Sequence, residues 1–258
     1  MTKQPDIHTL LATYRAKQPF NPTNTRLLYR ACRYQFIHES NALEGNTFTL
    51  EEVKTLCDFD KVIPGKSFRE HIEVANQLAA LNLLDAAVAE SQSLTPGLLK
   101  TLNQTLLART AFNEEGGHYR LVPVVIHGTD FVPIAPEKIE SKITSLIKHY
   151  RDQCVGLDQV EFIRLNARLH AELVSIHPFM DGNGRTARLV SHFECRKAGL
   201  GGLIIPASER ETYCRALDAS HQGNFEPIEN LFISCFAQML KKHLDGHCPE
   251  WRRDFEEP

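Results

Sequence analysis

The chain lacks any run of apolar residues long enough to cross a bilayer, and its opening residues, MTKQPDIH, lack the apolar core of a secretory signal. It also lacks an excess of positive charge. Lys and Arg number 29 against 32 Asp and Glu, for a net charge of −3, which leaves no basic footprint for nucleic acid. A disulfide framework is equally unsupported: Cys32, Cys57, Cys154, Cys195, Cys214, Cys235 and Cys248 are scattered, odd in number and without a C-x-x-C pair. Reduced thiols in a cytoplasmic protein are the expectation. The series His243-x₃-His247-Cys248 finds no second ligand group and reads as a helix end, not a metal cluster. Repeats, low-complexity stretches and long linkers are missing too. What remains is 258 residues, 42% hydrophobic and 24% charged, enough for one large domain, or for a core domain with a small N-terminal extension.

Helical signals dominate. Thr49 to Glu52, Ser67 to Glu70 and Ser208 to Glu211 each fit a capping box. Thr95-Pro96 is an N-cap with a first-turn proline, opening a stripe of Leu98, Leu99, Leu102, Leu106 and Leu107. Ile139, Ile143, Leu146, Ile147 and Tyr150 recur at helical spacing. Phe162 to Ile176 reads as an apolar helix, and Leu231, Phe232, Cys235, Phe236, Met239 and Leu240 mark the last long one. One segment departs from this pattern. Leu121 to Ile126 is rich in β-branched residues, and His127-Gly128-Thr129-Asp130 is turn-like before Phe131-Val132. The fold class expected is therefore all-α, with a short β-hairpin.

The densest chemistry lies in His177-Pro178-Phe179-Met180-Asp181-Gly182-Asn183-Gly184-Arg185-Thr186-Ala187-Arg188. Pro178, Gly182 and Gly184 break the helical period. From Arg185 onward Ala187, Leu189, Val190 and Phe193 read as a helix that Gly199 closes. A glycine-rich loop feeding a helix N-terminus is an anion site, because free N–H groups and the positive dipole end face the ligand. Arg185 and Arg188 share one face and reach phosphate oxygens as planar forks. Asp181 offers a hard oxygen suited to Mg²⁺, and His177 is the side chain able to take a hydroxyl proton near neutral pH. By residue type alone the run is a phosphate-binding loop beside a base.

This run resembles the signature of the Fic family, H-P-F-x-[DE]-G-N-G-R-x-x-R, at every fixed position. The hairpin then resembles the family's flap, which lies over the active site and holds a target segment by strand addition, and Gly117-His-Tyr-Arg120 resembles its G-x-Y-R lead-in. Ser40-Asn41-Ala42-Leu43-Glu44-Gly45 resembles the inhibitory motif [ST]-x-x-x-E-[GN], with Phe48 to Val53 as its usual continuation. The resemblance spans roughly residues 35 to 240. It implies a division into residues 1–34 leading in, 35–60 with the inhibitory helix and the helix after it, a core of 61–245, and a tail of 246–258. Both ends are expected to be loosely ordered.

The resemblance further implies transfer of AMP from ATP to a Ser, Thr or Tyr hydroxyl of a target protein bound along residues 122–132, or of the chain itself. His177 would be the base and Asp181 the anchor of Mg²⁺, with Mn²⁺ as a substitute. ATP would be held by Gly182, Asn183, Gly184, Arg185 and Arg188, by Ile126, His127 and Gly128 of the flap, and by Tyr213 and Leu217 around the base. His221 stands where several relatives have an asparagine against adenine, which leaves base specificity open. Ser40, Glu44 and Gly45 would carry inhibition, with Glu44 pairing Arg188 so that this arginine no longer holds the γ-phosphate. The rival readings are removal of AMP by the same site and a non-enzymatic, nucleotide-gated regulator. Nucleic acid and membrane are not expected as partners, and a homodimer stays open.

Overall fold

Most helix starts are fixed by a side chain that accepts the otherwise orphaned N–H groups of the first turn. The computed structural model describes residues 5–126 and 128–255. Asp6 caps α1 (Ile7–Ala16), and Asn21 caps α2 (Pro22–Ala42). Thr49 and Ser67 form complete capping boxes with Glu52 and Glu70 at the starts of α3 (Leu50–Phe59) and α4 (Phe68–Ala89). Thr95 caps α5 (Pro96–Leu107), α6 spans Ile139–Gln153, and Asp158 caps α7 (Gln159–Ile176). Beyond these lie α8 (Asn183–Lys197), α9 (Arg210–His221) and α10 (Glu226–His247). The third expected capping box is not formed. A 3₁₀ turn over Ala207–Glu209 runs straight into α9, so Ser208 already lies inside a turn and Glu209 caps without a side-chain bond.

The apolar stripes bury into two cores. One gathers Phe36, Ile37, Leu81, Leu84, Leu102, Ile143 and Phe193 from α2, α4, α5, α6 and α8. The other gathers Leu10, Ile163, Phe232, Phe236 and Leu240 from α1, α7 and α10. Helix α7 serves both, with Leu169 and Leu173 facing the first and Ile163, Ala167 and Ala171 facing the second. A helix apolar on two sides is held centrally, and its end is a fixed point in the molecule. That end is His177.

Three expectations change. The boundary at residue 34 falls inside α2, which is unbroken. Near both ends the described residues are packed: Leu10 is fully buried, and Trp251 packs into the second core with its indole N–H donating to Asp245 at 2.7 Å. The hairpin is not formed either, because no residue from 121 to 132 that the structure describes is in a strand. Pro123 and Pro133 cannot donate to a ladder. The Arg120 guanidinium instead donates to the carbonyls of Val122 and Ile134, one on each arm. The flap is thus two irregular arms tied at their base. Among the described residues no helix is long and apolar enough to cross a membrane.

Candidate active site

Helix α7 stops because His177 takes a left-handed backbone (φ 50°, ψ 61°) and Pro178 follows it. The His177 amide still donates to Leu173 O at 3.2 Å, which keeps the ring just past the helix end. Its Nδ1 lies 3.3 Å from Val174 O. A carbonyl can only accept, so Nδ1 carries the proton and Nε2 keeps its lone pair. Burial pushes the imidazole below its ordinary pKa. Val174 O, Asp181 and Glu44 oppose that shift and Arg120 adds to it, with a net downward result. His177 is a neutral base near pH 7.

Past Pro178 the loop is braced from within. Asn183 accepts from Phe179 N–H and donates to Phe179 O, both at 2.9 Å. Its side-chain amide is therefore spent on the loop, and its backbone N–H is what it offers an anion. Asn103 of α5, fully buried, donates to Asp181 O at 2.9 Å and accepts from Gly117 N–H at 3.1 Å. Gly182 (φ 75°) caps α8 and brings no side chain to the job. The first-turn N–H groups of α8 are thus left for a ligand. Asp181 accepts from Gly182 N–H at 2.6 Å and lies 3.4 Å from Arg185.

The two arginines differ sharply. Arg185 is 4% exposed, its Nε has no hydrogen-bond partner, and its one ionic contact is the long one to Asp181. Arg188, 3% exposed, donates from Nε to Ser40 Oγ at 3.0 Å and from Nη2 to Ser40 O at 2.9 Å and Glu44 Oε1 at 2.6 Å. Desolvation pushes Glu44 up, but the charge and hydrogen bond of Arg188, with Arg185 and Arg210 beyond, outweigh it and leave the carboxyl below its ordinary range. Glu44 is 41% exposed on its side chain and stands at the mouth of the site. Gly184 makes room for it, since a Cβ there would come 2.7 Å from Glu44 Oε1. Gly45 (φ 94°) turns the chain away after the end of α2.

Tyr213 is buried in the second core, 5% exposed, so its hydroxyl rather than an open ring face serves the site. That hydroxyl lies 2.8 Å from His170 Nε2 and faces the Arg188 charge. His170 Nδ1 lies 3.1 Å from Ser191 Oγ, which donates to Ala187 O at 3.1 Å. Burial, helped by the Arg188 charge, pushes His170 down to about 3, so it is neutral. The polar chain then has one consistent direction: Tyr213 to His170, His170 to Ser191, Ser191 to Ala187 O. Leu217 is half-buried against both cores. Of the flap residues assigned to the nucleotide, Ile126 is half-buried, Gly128 is exposed with φ 87°, and His127 lies outside the described residues. Phe131 stacks on His221 at 3.7 Å, and the buried Nε2 of His221 has no partner.

A neutral base, uncapped helix N–H groups and an unpaired buried guanidinium within nine residues suit attack of a hydroxyl on a phosphorus centre. Among the described residues no three His, Cys, Asp or Glu side chains form a metal cluster. Asp181, 35% exposed, is the single carboxylate at the loop. That donor set fits Mg²⁺, which keeps waters and shares substrate phosphates and needs no all-protein cage. Asn103, Arg120 and His170 belong to this site by their contacts although no motif in the chain singles out Asn103 or His170.

Residues 93–195 match the Fic/DOC family. The chain is 32% identical over 217 residues to the protein adenylyltransferase Fic of Nematostella vectensis, covering 82% of this chain and 48% of that protein. It thus spans about half the length of the curated relative it matches. A Fic-domain-containing signalling protein from Bacteroides thetaiotaomicron superposes with a TM-score of 0.84 at 25% identity, covering 94% of this chain and 96% of the other. Fic-1 of C. elegans (residues 134–508) has the same fold, with a TM-score of 0.81 at 24% identity and coverage of 92% and 70%.

Proposed function

Since the chain belongs to the Fic/DOC family, we propose that it transfers AMP from ATP to a Ser, Thr or Tyr hydroxyl of a protein. The observation that carries this reading is Arg185: a guanidinium 4% exposed with an unpartnered Nε, beside the uncapped start of α8. A buried cation whose one ionic contact among the described residues is a long one to Asp181 has capacity left for an anion from outside. The β- and γ-phosphates supply it, while the N–H groups of Asn183, Gly184 and Arg185 receive α- and β-oxygens. His177 Nε2 takes the proton of the target hydroxyl, whose oxygen attacks the α-phosphorus as the bond to pyrophosphate breaks. His177 Nδ1–H stays on Val174 O, which fixes the ring during that transfer. Asp181 would hold Mg²⁺, which supplies positive charge to the leaving pyrophosphate. The exposed flap residues Leu121, Val125 and Val132 offer an apolar edge to an extended target segment.

In this reading the chain rests in an inhibited state. Glu44 takes the fork of Arg188 and lies against Gly184, so it occupies with its own negative charge the space a γ-phosphate needs. ATP that still binds has its α-phosphorus turned away from in-line attack. The seven free cysteines and the net charge of −3 fit action on proteins in the cytoplasm.

The test is labelling from ATP carrying ³²P at the α-position, in wild type, Glu44→Gly and Glu44→Gly/His177→Ala. Glu44→Gly is expected to label itself or added proteins strongly, and the second change to lower that by about 10²–10⁴-fold, the usual share of a general base. Equal labelling in all three would remove both assignments. Release of AMP from a labelled protein by wild type, and not by Glu44→Gly, would favour the reverse reaction instead.

A further inference from the structure

Arg120, just ahead of the flap, is 2% exposed and no carboxylate pairs with it among the described residues. All its acceptors are carbonyls. Nε donates to His177 O at 2.8 Å, Nη1 to Val122 O at 2.9 Å, and Nη2 to Ile134 O at 2.6 Å, with Ile176 O at 3.5 Å. Its own amide N–H donates to Pro178 O at 2.9 Å. Every one of these carbonyls belongs either to an arm of the flap or to the junction where α7 delivers His177.

A buried guanidinium without a counter-ion is costly, and burial lowers its pKa here. A fold that needed only packing at this position would fill it with an apolar residue. The contacts explain why it does not. His177 sits in the left-handed region, which costs about 1–2 kcal/mol for a residue with a Cβ and persists only when neighbours over-determine it. Arg120 fixes the two carbonyls that follow the end of α7, those of His177 and Pro178. With the same side chain it fixes both roots of a flap that has no strand ladder of its own. A planar fork reaches divergent acceptors at once, whereas an ammonium is a single point of donation.

We propose that Arg120 is a positioning residue that sets the flap, and the target hydroxyl lying on it, at a fixed height above His177. The proposal rests on the adenylyl-transfer reading for its consequence, though its geometry stands without it. Arg120 also acts on His177 through charge. The charged groups facing that ring are Arg120 before the flap, Asp181 in the loop and Glu44 at the end of α2; Arg120 lowers its pKa and the other two raise it.

The experiment compares Arg120→Lys and Arg120→Gln in the Glu44→Gly chain, with ATP and self-labelling as the probe, alongside an NMR titration of His177 and amide exchange over residues 122–134. Lys keeps the charge and loses the fork; Gln loses both. Both variants should lower kcat by roughly tenfold or more, as for the loss of hydrogen bonds to a charged group, with KM for ATP within about twofold. Both should speed exchange in the flap arms. Only Arg120→Gln should raise the His177 titration and move the acid limb of the kcat/KM profile upward with it. If Glu44→Gly does not label at all, the adenylyl-transfer reading falls, while exchange and titration still judge Arg120. Unchanged flap exchange together with an unchanged His177 titration in both variants overturns the proposal. So does a KM for ATP that rises as much as kcat falls.

Discussion

Arg185 and Arg188 lie one turn apart on the same helix and are buried to the same degree, yet their surroundings are opposite. Arg188 donates from Nε and Nη2 to Ser40 and Glu44. Arg185 has one long contact to Asp181 and an orphaned Nε. A buried cation with no partner marks where a ligand's charge belongs, and one with every partner marks where the chain has supplied that charge itself. The two arginines are thus in different states: Arg185 keeps one long contact to Asp181, and Arg188 is engaged by groups at the end of α2. Under the proposed function, residues that look redundant in the sequence become a binding half and a controlled half.

The sharpest way to break this comparison is to neutralise the open half. Arg185→Gln in the Glu44→Gly chain should cut AMP transfer by about 10²–10³-fold, the range for removing a donor to developing charge. Transfer measured under saturating ATP that stays within a few-fold of its parent would mean Arg185 is merely buried. The filled half makes a different forecast. Glu44→Gly should activate and Arg188→Ala should not, although both dissolve the same ion pair, because only the first leaves a fork for the γ-phosphate. The double variant should match Arg188→Ala alone, the non-additivity of groups acting as a unit. A double variant as active as Glu44→Gly in the labelling assay would show that Arg188 serves only to bind Glu44.

A smaller effect tests the back of Arg188. Tyr213→Phe keeps the packing and removes the hydroxyl that faces the Arg188 charge and bonds His170, a neutral hydrogen bond worth about 0.5–1.5 kcal/mol. In the Glu44→Gly chain this should raise KM for ATP more than it lowers kcat. A Tyr213 that acted through its ring would leave both unchanged.

The smallest effect is on stability. The Glu44 carboxyl is held below its ordinary pKa in the folded chain, so its ion pair adds stability above the ordinary carboxylate range. That stability is lost as pH falls through the folded value. The Tm difference between wild type and Glu44→Gln should therefore be present at pH 7 and shrink below about pH 4. With Glu44 partly exposed the difference is a few degrees at most. A difference that grows on acidification would mean the glutamate is not paired as an anion.

Much of this site is legible in the residues, and for identifiable reasons. His177 to Arg188 is contiguous, so spacing alone joins base, carboxylate, glycines and arginines. Thr49, Ser67 and Thr95 cap as expected because capping is local. Contacts that cross the fold are not local. His170 sits in α7 among apolar residues, and its link to Tyr213 exists only once α9 packs on α7. Asn103 left a fainter trace, as an asparagine inside the leucine face of α5, but not which loop it braces. Tyr213 reads in the sequence equally as an aromatic for a base and as a core aromatic, and its ring lies in the core. The flap misled for a physical reason: a β-branched run favours strands, yet proline and Arg120 remove the donors and acceptors that a ladder requires.

The groups that α2 lends to Arg188 all lie in its final turn or just past it: Ser40 Oγ, Ser40 O and Glu44 Oε1. Helix ends are where carbonyls lack intrahelical partners and where the chain opens first. Under the proposed inhibited state, release of Arg188 needs only the fraying of this one helical turn, with no need for a domain to move or for the core to loosen. The same turn is pinned from outside, by Arg210 donating to Leu43 O at 3.2 Å and by Ala207 N–H donating to Glu39 at 2.7 Å. Those two clasps come from the turn before α9 and from its first residue. In the proposed inhibited state, the energy of local melting at the end of α2 is then the quantity that sets how often Arg188 is released.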